Sequence, residues 1–171
     1  LAVNKDSLER VLVKNPMIKS AQVYYSLDGY IHVNIQQREP VLRVLTGEGY
    51  YVDRDGRVMP LSSKFTSRVV VATGDINKKF ACEKLGPFAM KLKNEPFWDA
   101  YIEQLVVRSN EDVVMIPKVG DFRIVLGKVD DCEVRLEKLI LFLKDGITKK
   151  GWNRYKEINL KFDNQVVCVR K

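Results

Sequence analysis

Cysteine and histidine are scarce in this chain. Three of its 171 residues are cysteine (Cys82, Cys132 and Cys168), and His32 is its single histidine. The cysteines stand far apart with no local CxxC, so no Cys/His zinc pattern is present. An odd number of distant thiols reads as buried free cysteines rather than a disulfide framework. No run of about 18 apolar residues occurs, so no segment has the length and character of a membrane-spanning helix. Neither a methionine nor a signal sequence opens the chain; Leu1 reads as the edge of an excised piece, with any anchor upstream. A compact block of basic residues is also missing. The 29 Lys and Arg exceed the 22 Asp and Glu by +7, but they are scattered along the length. That spread suits solubility or attraction to an anionic surface better than a nucleic-acid footprint.

What the chain does have is alternation. In Glu157 to Arg170 (EINLKFDNQVVCVR) the residues Ile158, Leu160 and Phe162 alternate with polar ones, the period of a half-buried strand. Asp163-Asn164 supplies a two-residue turn, which sets Phe162 opposite Gln165, Leu160 opposite Val167 and Ile158 opposite Val169. The return arm departs from this pattern, because Val166 to Val169 is apolar on both faces. A terminal strand of that kind is either covered by its own domain or open to another chain.

The first hairpin is fixed by parity. A two-residue Asp28-Gly29 loop would turn the apolar faces of its arms apart. A three-residue loop, Leu27 to Gly29, pairs Tyr25 with Ile31 and Val23 with Val33, and leaves His32 pointing outward. Before it, Asn4 or Asp6 caps a helix with a Leu8, Val11, Leu12 stripe, ended by Asn15-Pro16. A short helical turn over Met17 to Ser20 then leads into a strand from Ala21. Further on, an Asp55-Gly56 turn sets Val52 opposite Met59 and Tyr50 opposite Leu61. Val69 to Ala72 is a short buried strand. Glu83 to Tyr101 reads as helix broken at Gly86-Pro87 and Glu95-Pro96, with Phe97 and Trp98 as core anchors. Three antiparallel strands follow: Leu105 to Val107, Val113 to Ile116 and Phe122 to Leu126. Asp130 or Asp131 caps the strongest helix, with its stripe of Leu136, Leu139, Ile140 and Leu143 and its end at Gly146.

No constellation of catalytic residues emerges. A Ser-His-Asp arrangement would need the outward His32, and Gly127 stands alone where a phosphate loop needs several glycines. The Asp53/Asp55 string fails as a calcium loop. Counting from Asp53, its fifth position is Arg57 and its twelfth is Lys64. The reading is therefore of a protein that is not an enzyme, with no cofactor.

Asn15-Pro16, Ile31-x-Val33-x-Ile35 and Arg38-Glu39-Pro40 resemble the POTRA module of the bacterial FtsQ/DivIB cell-division family. The segment from Tyr51 through Asp53 and Gly56 to Pro60 is similar to the start of that family's second domain. Gly127, Lys138, Gly151-Trp152, Tyr155 and the segment Ile158 to Val167 fall where the family has them. The resemblance implies an α+β fold: a truncated POTRA-like module over residues 1–40, then a mixed α/β domain over 41–171 with a largely antiparallel sheet. Arg38-Glu39-Pro40, which interrupts the apolar pattern, marks the boundary.

It also implies a non-catalytic divisome scaffold. FtsB-like and FtsL-like partners would bind the carboxy-terminal strand, helping to assemble and regulate septal cell-wall synthesis, with other septal proteins at the POTRA module. Such a protein is a single-pass inner-membrane protein whose extracytoplasmic (periplasmic) part, at the division septum, includes this fragment. The implied partner-binding residues are Lys161, Phe162, Asp163, Asn164, Gln165, Val166, Val167 and Cys168. Lys161 would meet a partner carboxylate, Phe162 replaces an aromatic that is often tyrosine, and Asn164 to Cys168 would offer mainly backbone hydrogen bonds. The alternative is a basic nucleic-acid-binding module. Against it, the aromatics stand at core-like positions instead of alternating with Lys or Arg. An outer-membrane assembly factor would need a second copy of the Asn-Pro/strand/strand pattern, and the chain has none.

Overall fold

The computed structural model describes residues 4–63, 66–144, 154–163 and 165–171. Its amino-terminal part is a helix on a hairpin. The helix α1 (Lys5–Val13) begins where the Asn4 side chain accepts the Ser7 N–H at 3.2 Å. The strands β1 (Ile18–Tyr25) and β2 (Ile31–Gln37) pair with Val23 opposite Val33 and Tyr25 opposite Ile31, as the three-residue loop requires. The Ser26 N–H donates to the Tyr30 carbonyl at 3.0 Å, and Gly29 takes the positive φ of 87° that closes such a loop. His32 turns outward and stacks on Tyr24, the ring centroids 5.0 Å apart. Two expectations here are corrected. Leu8 and Leu12 are half-buried, but Val11 is 58% exposed. The stretch expected to be a helical turn before Ala21 is already strand from Ile18, with a bulge between Ile18 and Ser20.

The apolar face of this hairpin is only partly covered. Ala21 and Val23 are buried, whereas Ile31, Val33 and Ile35 are 42%, 44% and 49% exposed. Their backbone groups are open too. Since Ser26 and Tyr30 form a hydrogen-bonded pair, alternation turns the N–H and C=O of Ile31, Val33 and Ile35 away from β1. A half-covered face beside an unpaired edge gives low local stability. Amide hydrogen exchange is therefore expected to show residues 23–35 opening well before 105–126; equal protection of the two segments would refute this.

The strands of the other described residues build one sheet. Its strands are β3 (Pro40–Val44), β4 (Tyr50–Asp53), β5 (Val58–Met59), β6 (Val70–Gly74), β7 (Ile102–Arg108), β8 (Asp112–Pro117), β9 (Arg123–Gly127), β10 (Tyr155–Asn159) and β11 (Val167–Arg170). They lie in the order β11-β10-β9-β8-β7-β6-β3-β4-β5. Neighbours are antiparallel except at β3/β6, β6/β7 and β9/β10. Helices span two of those parallel steps, as parallel strands need long crossovers: α2 (Lys78–Phe80), α3 (Gly86–Asn94) and α4 (Pro96–Tyr101) before β7, and α5 (Glu133–Phe142) before β10. The fold is α+β, with a large, mostly antiparallel sheet.

One cross-strand row shows how the sheet is glued. Tyr50, Val44, Ala72, Leu105, Met115, Ile124, Ile158 and Cys168 are successive partners across eight strands. All face the same core, which Phe80, Leu85, Phe88, Leu92 and Trp98 fill from one crossover and Leu136, Leu139 and Leu143 from the other. Ile18, Ala21 and Val23 are buried outside that cluster.

Four further expectations are corrected. Gly86-Pro87 does not break the helix: α2 runs through a π-helical turn, Ala81–Leu85, directly into α3, and the proline falls just after that wider turn, where the regular i to i−4 ladder is already interrupted. Glu95-Pro96 does break it, Glu95 being extended. Phe97 is 46% exposed beside a buried Trp98. Cys132, with no side-chain capping bond, starts α5, while the Asp130 carboxylate pairs with Lys84 instead. Gly146 lies outside the described residues. Lastly, the second hairpin pairs Tyr51 with Met59 and Val52 with Val58, one residue from the expected register. Its loop is the three-residue Arg54 to Gly56, closed by the Asp53 N–H to the Arg57 carbonyl at 2.9 Å. The parity argument had no purchase there, because every residue of β4 is buried.

Candidate partner-binding edge

Among the described residues the last strand, β11, ends the sheet and has β10 as its one hydrogen-bonded neighbour. Its register differs from the expected one. Asn159, not Leu160, faces Val167, Ile158 faces Cys168, and Glu157 faces Val169. The expected Asp163-Asn164 turn cannot produce this pairing, whose partners sum to an even number and so enclose an odd loop; Asn164 itself lies outside the described residues. The sides follow from the pairing. Val166 and Cys168 pack against the core, and Val167 and Val169 lie on the opposite face. Burial pushes the Cys168 thiol pKa up, so the group is a neutral apolar filler. All three cysteines are free.

The backbone direction of β11 can be worked out from its neighbours. The Leu160 N–H donates to the Val125 carbonyl at 2.9 Å, so Leu160 points at β9 and Asn159 points at β11. Asn159 and Val167 are then a hydrogen-bonded pair, and alternation turns the N–H of Val166, Cys168 and Arg170 away from β10. The Lys171 N–H, bound to the Arg154 carbonyl at 3.2 Å, has the parity this assignment demands. The free edge therefore offers the backbone of Cys168 at its centre.

The other predicted residues take several different places. The ammonium of Lys161 is already engaged, 3.0 Å from an Asp112 carboxylate oxygen. The Lys161 N–H donates to the Asn159 side chain at 3.0 Å. Phe162 is 46% exposed, and its carbonyl accepts the Lys138 ammonium at 3.0 Å. Asp163 and Gln165 are exposed. Asp112 and Lys138 thus hold the approach to β11, and Asp112 had no signal in the sequence because its partner lies 49 residues away. Residues 154–171 carry five Lys and Arg (154, 156, 161, 170, 171) against Glu157 and Asp163, a local balance of +3. Glu157 is paired with Arg123 at 2.8 Å, and Lys171 with Asp121 at 2.7 Å; with Arg123, Asp112 and Asp121 counted, six bases stand against four acids, a balance of +2.

Gly127 explains why this corner is narrow. It has φ of 88°, and a Cβ there would stand 3.0 Å from the Lys161 Cγ and 3.1 Å from the Arg135 Nη1. Gly127→Ala is expected to cost about 1–2 kcal/mol from the backbone alone, read in urea denaturation. A loss below about 0.5 kcal/mol would show that the backbone relaxes freely.

Among the described residues no group of three or more His, Cys, Asp or Glu side chains could hold a metal ion. Nor is any described helix long and apolar enough to cross a membrane. A comparison with curated proteins finds no match. Residues 39–169 match the model of the family described as FtsQ/DivIB, C-terminal related. That match takes in the whole course of the large sheet from its first strand into its last, and the chain belongs to the FtsQ/DivIB C-terminal related family.

Proposed function

We propose that this chain is a divisome scaffold that binds FtsB-like and FtsL-like proteins by accepting an extended segment along β11. Family membership supports a divisome-associated role and a non-catalytic one. The observation that carries the finer reading is the free outer edge of β11, with backbone donors at Val166, Cys168 and Arg170. A strand added there would continue the sheet, its main-chain bonds giving affinity. The local excess of basic residues, +2 once Arg123, Asp112 and Asp121 are counted, favours a partner segment with acidic residues. In this reading residues 1–40 are the partial POTRA module and 41–171 the partner-binding domain. The chain belongs to a single-pass inner-membrane protein, anchored upstream, with this part in the periplasm at the septum.

The test is calorimetry of the 171-residue chain with extracytoplasmic segments of its own FtsB and FtsL equivalents. Saturable binding lost with a β11 variant supports the proposal. No binding to either segment, or a salt-dependent gel shift with DNA or RNA in its place, overturns it. Lys161→Glu is expected to weaken binding by about 1 kcal/mol. Because Lys161 also pairs with Asp112, Asp112→Ala is the companion variant. Equal weakening by Asp112→Ala would assign the effect to the internal pair and not to a partner carboxylate.

A further inference from the structure

The joint between the amino-terminal hairpin and the large sheet is short: Arg38 and Glu39 alone separate β2 from Pro40 of β3. Both are seized by the β4–β5 loop. Asp53, 2% exposed, takes the Arg38 guanidinium on one carboxylate oxygen at 2.8 Å. Its other oxygen accepts the N–H groups of Asp55 at 2.9 Å and Arg57 at 2.7 Å, so the same carboxylate shapes the loop. Arg54 binds Glu39 twice, N–H to carbonyl at 3.1 Å and guanidinium to carboxylate at 3.1 Å. Lys93 of α3 reaches the same carboxylate at 2.9 Å, and Lys19 of β1 reaches Asp55 at 2.9 Å.

These contacts are not equal. Lys19–Asp55 and Arg54–Glu39 are about half exposed and individually weak. The Arg38–Asp53 pair is almost fully buried, and removing either partner leaves a desolvated charge. A bare hinge needs none of this, and two residues ending in a proline already restrict its path.

We infer that the 53–57 loop is a latch that locks the orientation of the amino-terminal hairpin on the large sheet, with Asp53 as its buried bolt. With the latch closed the two parts move as one body. When it opens, the hairpin swings about Arg38 and Glu39 while each part keeps its fold. Anything bound at the hairpin is then held at a fixed distance and angle from the β11 edge only while the latch is shut.

The experiment measures amide residual dipolar couplings of the 171-residue chain in a weakly aligning medium. In the parent, couplings from 18–37 and from 102–127 fit a single alignment tensor. Asp53→Asn keeps an oxygen for the loop N–H groups but drops the charge. It is expected to demand two tensors, with the degree of order of the hairpin falling at least twofold while the large-sheet couplings stay unchanged. Arg38→Met, outside the loop, is expected to do the same and decides the matter should Asp53→Asn disturb β4. The inference is overturned if the parent already needs two tensors, or if Arg38→Met keeps one.

Discussion

Cys168→Pro is expected to abolish binding of the partner segment while leaving the sheet folded. The Cys168 N–H points away from β10 and is one of the donors an added strand would use. Proline removes it without breaking the β10–β11 ladder, since an edge strand tolerates proline where its N–H faces solvent. The ring also retains much of the apolar volume that Cys168 packs on the core. Val167→Pro is the contrast. Its N–H is the one given to β10, so proline there should detach β11 itself. Calorimetry should show affinity for the FtsB-like segment falling at least tenfold in Cys168→Pro, about 1.4 kcal/mol. Circular dichroism should stay that of the parent. A folded Cys168→Pro that binds as well as the parent rules out augmentation at this edge. It would not bear on the latch, which lies at the hairpin joint.

The second large effect is expected in the core. Leu105 is fully buried in β7, between Ala72 of β6 and Met115 of β8, in the middle of the row that runs from Tyr50 to Cys168. Leu105→Ala leaves a cavity that neither flanking strand can close, since each is pinned on both sides. The cost should be about 2–5 kcal/mol, lowering the melting temperature by roughly 5–15 °C for a chain of this length. Val33→Ala in the hairpin, where Val33 is 44% exposed, should cost about 1 kcal/mol or less. Urea titrations of both variants check this. A Leu105→Ala loss below about 1 kcal/mol would mean the row does not carry the stability assigned to it.

How much of this was legible in the residues depended on polarity contrast. In the first hairpin Gln22, Tyr24, His32 and Asn34 oppose an apolar face, and alternation there fixes the register correctly. In β4 the residues Tyr50, Tyr51, Val52 and Asp53 are all buried, and in β11 Val166 to Val169 are apolar on both sides. A one-residue slip changes nothing in either pattern, and both expected registers were off by one. The Asp53/Asp55 string reads correctly as a turn. The partnership of Asp53 with Arg38 had no local mark, because the two meet only when the strands are assembled. For the same reason Lys161 looked available and is found on Asp112.

By itself the sequence determined most of the element types, the antiparallel β7–β9 run, the helix α5 and the kinship with the FtsQ/DivIB family. Those follow from period, punctuation and the order of motifs, which are local or additive along the chain. Only the tertiary structure decided that β11 closes one end of the nine-stranded sheet of the described residues, which of its N–H groups face outward, and where each buried charge finds its partner. Those depend on which strand lies beside which and at what offset. Offset is set by packing on two faces and by hydrogen bonds between residues far apart in the chain.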